Sequence, residues 1–81
     1  MNLEVISPEK VIYSGEADSV TLPGAAGLFT VLNHHAPIIS VLKKGTLTYK
    51  VGDDERMLEI ESGFVEVKQN VVSVAIEQTG K

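Results

Sequence analysis

The 81-residue sequence predicts an all-β domain of about eight to ten short strands in two packed antiparallel sheets. Three observations carry this expectation. Gly and Pro recur at positions 8, 15, 23, 24, 27, 37, 45, 52, 63 and 80, so only Phe64 to Thr79 leaves room for a helix of ordinary length. That interval is dense in valine, whose β-branched side chain loses rotamer freedom in a helix and packs well on a pleated surface. Through the second half, apolar and polar residues alternate with a period of two, as in strands with one face on a core and the other in water.

In chain order, the first half predicts strands at Leu3 to Ile6, Val11 to Tyr13, Ala17 to Leu22, Leu28 to Leu32 and Ile38 to Leu42. Turn signals separate them at Ser7-Pro8, Ser14-Gly15, Pro23-Gly24 and His35-Ala36-Pro37. The second half predicts a four-stranded meander. Leu47, Tyr49 and Val51 face one way and Thr46, Thr48 and Lys50 the other; Leu58 and Ile60 alternate with Glu59 and Glu61. Val65 and Val67 alternate with Glu66 and Lys68, and Val72, Val74 and Ile76 with Ser73 and Ala75. The joints fall at Gly52-Asp53-Asp54-Glu55, Ser62-Gly63 and Gln69-Asn70, lengths that permit hairpins and forbid parallel crossovers between neighbours. Phe64, Met57 and Val71 are apolar where the alternation calls for a polar residue, which marks them as cover for an edge or a partner.

Size allows one domain, 1–81, with no linker, repeat or low-complexity tract. There is no cysteine, so disulfides and thiolate metal sites are excluded, and stability must come from the core or from a partner. The net charge of −4 supplies no basic face for nucleic acid. No apolar run approaches the roughly 20 residues that span a bilayer as a helix, and the opening MNLEVISPEK has no signal-type pattern, so the chain is expected to stay in the compartment where it is made.

Candidate chemistry is sparse. His34-His35 are adjacent and project to opposite sides of an extended segment, so they do not chelate one ion, and no third His or Cys exists. Asp53-Asp54-Glu55 sits at a hairpin tip, where Asp is favoured by turn geometry, and lacks the alternating ligands of an EF-hand. Gly24-Ala25-Ala26-Gly27 is followed by Leu28-Phe29 rather than the Lys-Ser or Lys-Thr of a phosphate loop. Ser7, Ser14, Ser40, Ser62 and Ser73 lie in no nucleophile-elbow context. The sequence therefore predicts no catalysis, no cofactor and no metal. What stands out is Gly24 to Pro37, GAAGLFTVLNHHAP, which reads equally as cover for the core and as a docking loop; where Leu28, Phe29 and Leu32 are partly exposed they form an apolar patch for a partner to bury.

Three stretches, VISPEKVIYSGEADSVTLPG, GLFTVLNHHAPIISVLKKG and ESGFVEVKQNVVSVAIEQT, resemble in order the epsilon subunit of F-type ATP synthases, called delta in mitochondria. The resemblance covers nearly the whole chain. It implies a flattened two-layer β-sandwich at the foot of the central stalk, a non-catalytic rotor subunit that joins the gamma subunit to the c-ring and couples ion flow to ATP synthesis. It implies a peripheral place on the cytoplasmic face of a bacterial inner membrane, or the matrix or stroma side in an organelle, with the membrane met only through the c-ring. By position it puts Ser7 near gamma, Leu28 at the loop that reaches the c-ring, and His35, in His-Ala-Pro, at the same end as Leu28. The sequence departs from the family in having Leu28 where an acidic residue is usual, and Asn33-His34-His35 in place of Pro-Gly-His. It also stops at IEQTGK, where the family continues into a two-helix C-terminal domain. That domain carries braking of ATP hydrolysis and, in some members, ATP binding, so no helical hairpin and no ATP binding are expected of these residues.

The alternative is a free-standing β-sandwich adaptor that binds an unrelated protein through the same patch; co-purification with gamma separates the two. A carbohydrate-binding module would want an exposed aromatic platform, and the chain has no Trp and only Tyr13 and Tyr49.

Overall fold

The computed structural model describes residues 1–78, and among them there is no helix. Eight strands follow in order: β1 (Asn2–Ile6), β2 (Val11–Glu16), β3 (Ser19–Gly24), β4 (Gly27–Leu32), β5 (Ile38–Leu42), β6 (Gly45–Val51), β7 (Asp54–Lys68) and β8 (Val71–Gln78). They hydrogen-bond in the order β2-β1-β8-β7-β5-β3-β4, with β6 bridging β3 and β7.

β7 makes two layers out of one hydrogen-bonded sheet. Fifteen extended residues would span about 50 Å, yet the longest dimension of the molecule is 33 Å, so the strand has to bend. Its first half, Asp54 to Ile60, pairs with β6; its second half pairs with β5 and β8, and the register slips between Ile60 and Ser62. A bulge of this kind adds a residue and turns the strand. One layer is therefore β2-β1-β8-β7-β5 and the other β4-β3-β6-β7, and the 20 Å short axis suits two sheets packed about 10 Å apart.

The bend corrects one sequence expectation. Ser62-Gly63 is not a turn but lies inside β7, so the expected four-stranded meander is three strands. A glycine is needed there because a Cβ on Gly63 would run into the carbonyl oxygen of Ala75 and sit 3.1 Å from Cα of Ile76. Pro23-Gly24 and Ser14-Gly15 likewise lie within β3 and β2; the β3–β4 turn is Ala25-Ala26. Gln69-Asn70 is a turn as expected, with φ of 53° and 62° at its two residues, the double positive φ of a type I′ hairpin. The sheet is also not wholly antiparallel, since β1 runs parallel to β8 from Asn2–Val71 to Ile6–Ala75.

The inward residues follow the predicted alternation. Leu3, Val5, Val65, Val67, Val72, Val74 and Ile76 come from one layer, and Val20, Leu22, Val31, Leu47, Tyr49 and Ile60 from the other, all buried. No polar side chain is buried among the described residues, so the core contains only apolar packing. The aromatic rings of Tyr13 and Tyr49 pack across the layers with centroids 4.8 Å apart. Hydrogen bonds lock the loops at one end: the Met1 ammonium donates to the Ala17 carbonyl and to Asn33 Oδ1, and the His34 N–H donates to Asn70 Oδ1 at 2.8 Å.

Candidate docking surfaces

The strand registers bring together residues that are far apart in the chain. Val11 pairs with Ile6, Ile6 with Ala75, Ala75 with Phe64, and Phe64 with Val41. These five side chains form one apolar row across the outer face of the β2-β1-β8-β7-β5 layer, about 19 Å long at the usual strand spacing. Three of its members are well exposed, Val41 by 65%, Val11 by 57% and Phe64 by 54%, while Ile6 and Ala75 between them are less so. Beside Phe64 and Ile6 opens a cleft of about 510 Å³ that also takes in Ser7, Val41, Gly63 and Ile76. The next row toward the N-terminal edge carries Glu4, Ser73, Glu66 and Ile39, so the apolar strip has a carboxylate border. Of the five residues in the row, Phe64 alone announced itself in the sequence, by breaking the alternation. Positions 6, 11, 41 and 75 become a group only through the strand pairing.

The outer face of the second layer is different in kind. Thr30, Thr21, Thr48 and Met57 stand side by side on β4, β3, β6 and β7, with the Thr21 and Thr30 hydroxyls 2.9 Å apart. Leu28 and Leu32 flank this row on β4, 72% and 58% exposed. Leu28 lines a second, smaller cleft with Pro23, Lys43, Lys44 and Gly45.

The five sequence-predicted contact residues therefore do not form one patch. Ser7 and Leu28 lie in the two clefts on either side of the Val41–Gly45 stretch. Phe29 follows Leu28 in an extended strand and so points the opposite way; it is half-buried and packs on the core, which removes it from the expected apolar patch. His35 is beyond the other end of β4, about 13 Å of strand rise past Leu28 at Leu32 alone, and its Nδ1 is 2.7 Å from the Ala36 carbonyl oxygen. Leu28 and His35 thus flank opposite ends of β4. Among the described residues, no three His, Asp or Glu side chains converge as metal ligands.

The β-sandwich domain model of the ATP synthase Delta/Epsilon chain matches residues 1–80. The ATP synthase epsilon chain of Leptospira borgpetersenii is 45% identical over 74 residues, 91% of this chain and 58% of that protein. That of Magnetococcus marinus is 40% identical over 78 residues, 96% of this chain and 57% of its own length. The chain thus spans a little under three fifths of these relatives. In fold it is similar to a chain of the Tetrahymena thermophila mitochondrial ATP synthase central stalk and c-ring structure, with TM-score 0.83 and 17% identity over 96% of this chain and 63% of that one. A chain of the Euglena gracilis mitochondrial ATP synthase gives TM-score 0.86 and 23% identity over 91% of this chain and 48% of that one. A match over residues 1–80, in a chain whose strands, bulge and core build the same sandwich, places this protein in the ATP synthase Delta/Epsilon family, in its β-sandwich domain.

Proposed function

We propose that this chain is a non-catalytic central-stalk subunit of a proton-translocating F-type ATP synthase, docked on the gamma subunit and the c-ring so that the two turn together. The observation that carries the proposal is the apolar row Val11–Ile6–Ala75–Phe64–Val41, left exposed by a domain whose core is complete without it. An apolar strip across five strands is drier against a partner than in water, and family membership supplies the partner class.

We assign the strip, with Ser7 at its rim, to gamma, and Leu28 with the Lys43–Lys44 cleft to the c-ring. The Glu4 and Glu66 border asks for Lys or Arg on the facing surface of gamma. A lasting contact of this sort buries over about 1,000 Å² in total. A stiff sandwich suits the task because force passing from gamma to the ring meets strands cross-linked by backbone hydrogen bonds around a close-packed core. On this reading the protein is peripheral, meeting the membrane through the c-ring, on the cytoplasmic side in a bacterium or the matrix or stroma side in an organelle.

The test is co-purification with gamma and c-ring from the same cell. Phe64→Glu is expected to lose gamma and Leu28→Glu to weaken ring attachment, both without unfolding, because each side chain is mostly in water. Recovery of gamma with Phe64→Glu equal to wild type would overturn the assignment of that face.

A further inference from the structure

We infer that β4 is an open edge built to pair with a second copy of itself, joining two chains into one continuous sheet. Among the described residues, β4 pairs only with β3. Pro23 has no N–H to give, so Pro23–Leu28 is a non-hydrogen-bonded pair of the ladder, and by alternation so are Thr21–Thr30 and Ser19–Leu32. The backbone N–H and C=O groups of Leu28, Thr30 and Leu32 consequently point away from β3, toward the edge. Of these groups the Leu32 carbonyl has a partner, the His35 N–H at 3.2 Å.

Edges are ordinarily blunted by charge, proline or a bulge. The strand at the far end of the hydrogen-bonded order, β2, is blunted in this way: its pairing with β1 slips between Val5 and Ile6, it ends on Glu16, and the Tyr13 hydroxyl donates to the Glu16 carbonyl at 2.6 Å. β4 has none of these devices. Its sequence is Gly-Leu-Phe-Thr-Val-Leu, and neither β4 nor β3 behind it carries a charged side chain.

The sequence of the edge selects the occupant. Leu28-Phe29-Thr30-Val31-Leu32 is symmetric in character about Thr30. A two-fold axis through Thr30 sets Thr30 opposite Thr30 of the second copy, Leu28 opposite its Leu32, and Phe29 opposite its Val31. Every pair is apolar or hydroxyl to hydroxyl, and no like charges meet. The same axis makes Leu28, Thr30 and Leu32 the hydrogen-bonded positions of the new ladder, so the free edge groups find partners, on the order of six bonds. A register centred elsewhere in the strand leaves at least one leucine unpaired. This inference stands apart from the rotor reading. Where both hold, Leu28 is shared, and the paired form is that of the unassembled subunit.

The 81-residue chain alone provides the test. Sedimentation velocity at about 100 μM, above a Kd of roughly 10 μM, is expected to give twice the 8.7 kDa monomer mass. Thr30→Lys, which faces two ammonium groups across the axis, is expected to sediment as monomer, and to melt like wild type when both are diluted to about 1 μM, where the wild type has also dissociated. Phe64→Glu, on the other layer, is expected to remain dimeric. Because the chain has no cysteine, Thr30→Cys reports the register directly: a hydrogen-bonded antiparallel pair has Cα atoms about 5.5 Å apart, within disulfide range. Under mild oxidation it is expected to form covalent dimer about tenfold faster than Thr48→Cys, which lies on the same face two strands inward. A monomeric wild-type chain, a Thr30→Lys dimer, a Phe64→Glu monomer, or equal cross-linking at positions 30 and 48 would each overturn the inference.

Discussion

Gly63→Ala tests whether the bulged strand β7 holds the two layers at the spacing described. The added methyl would overlap the Ala75 carbonyl oxygen and press on Ile76, 3.1 Å from both its Cα and its Cγ2. The obstacle is mainly backbone of the neighbouring strand, so a rotamer change offers no relief, and β7 and β8 must part locally. Overpacking costs about 1–3 kcal/mol, and weakening the Gly63–Ile76 pairing adds roughly 1 kcal/mol. Against this, replacing Gly in a strand restrains the unfolded chain, worth about 0.4–1 kcal/mol. The net is a loss of about 2 kcal/mol from a total of roughly 4–12 kcal/mol for a domain of this length. With an unfolding entropy near 2.1 cal/mol/K per residue, each kcal/mol is about 6 °C here, so the melting point should fall by about 12 °C. Thermal unfolding followed by far-ultraviolet circular dichroism measures it, with the neighbouring exposed Ser62→Ala as a control expected to shift by less than about 3 °C. If Gly63→Ala melts within about 3 °C of wild type, the unfolded-state entropy has won and β8 is not held against β7 at this point.

Two further predictions probe other parts of the fold. Leu47→Ala removes a fully buried side chain from the centre of β6 and should cost about 2–5 kcal/mol, read as a lower urea midpoint with unchanged slope. Asn70 has φ of 62° and accepts the His34 N–H, so Asn70→Ala should lose about 2 kcal/mol while Asn70→Gly, which keeps the backbone at ease, should lose about half as much; equal losses would argue against the positive φ.

The strands were legible because period-two alternation is a local signal, and Leu47, Tyr49, Val65, Val67, Val72 and Val74 all face inward as that signal requires. What the chain concealed is non-local. The parallel pairing of β1 with β8 joins strands at opposite ends of the sequence, and no turn chemistry points to it. Ser62-Gly63 looked like a turn because glycine serves two purposes: it permits unusual φ, and it lets another backbone come close. Here it serves the second. Grouping Leu28 with Phe29 treated neighbours in sequence as neighbours on a surface, which in an extended strand they are not. The apolar row was beyond reach for the same reason as the parallel pair, since it needs four strand registers to assemble.

The two outer faces of the sandwich differ in a way that folding does not explain. Both are outward positions on strands with equally dry inner faces. On the β6 side the middle of the face holds Thr21, Thr30, Thr46, Thr48 and Lys50, residues that suit a strand and remain content in water, and its exposed apolar residues, Leu28, Leu32 and Met57, stand apart from one another on β4 and β7. On the β8 side the corresponding rank is Val11, Ile6, Ala75, Phe64 and Val41. Phe64 leaves over half its surface in water while Val65 beside it is fully buried, so Phe64 contributes far less to the core than its size would allow. Threonine at these five positions would pair in the sheet as well and expose less apolar surface. The apolar choice therefore brings its benefit when another surface covers it, and that is why the gamma contact proposed for this chain should be sought on this face, with the Leu28 cleft left to the ring.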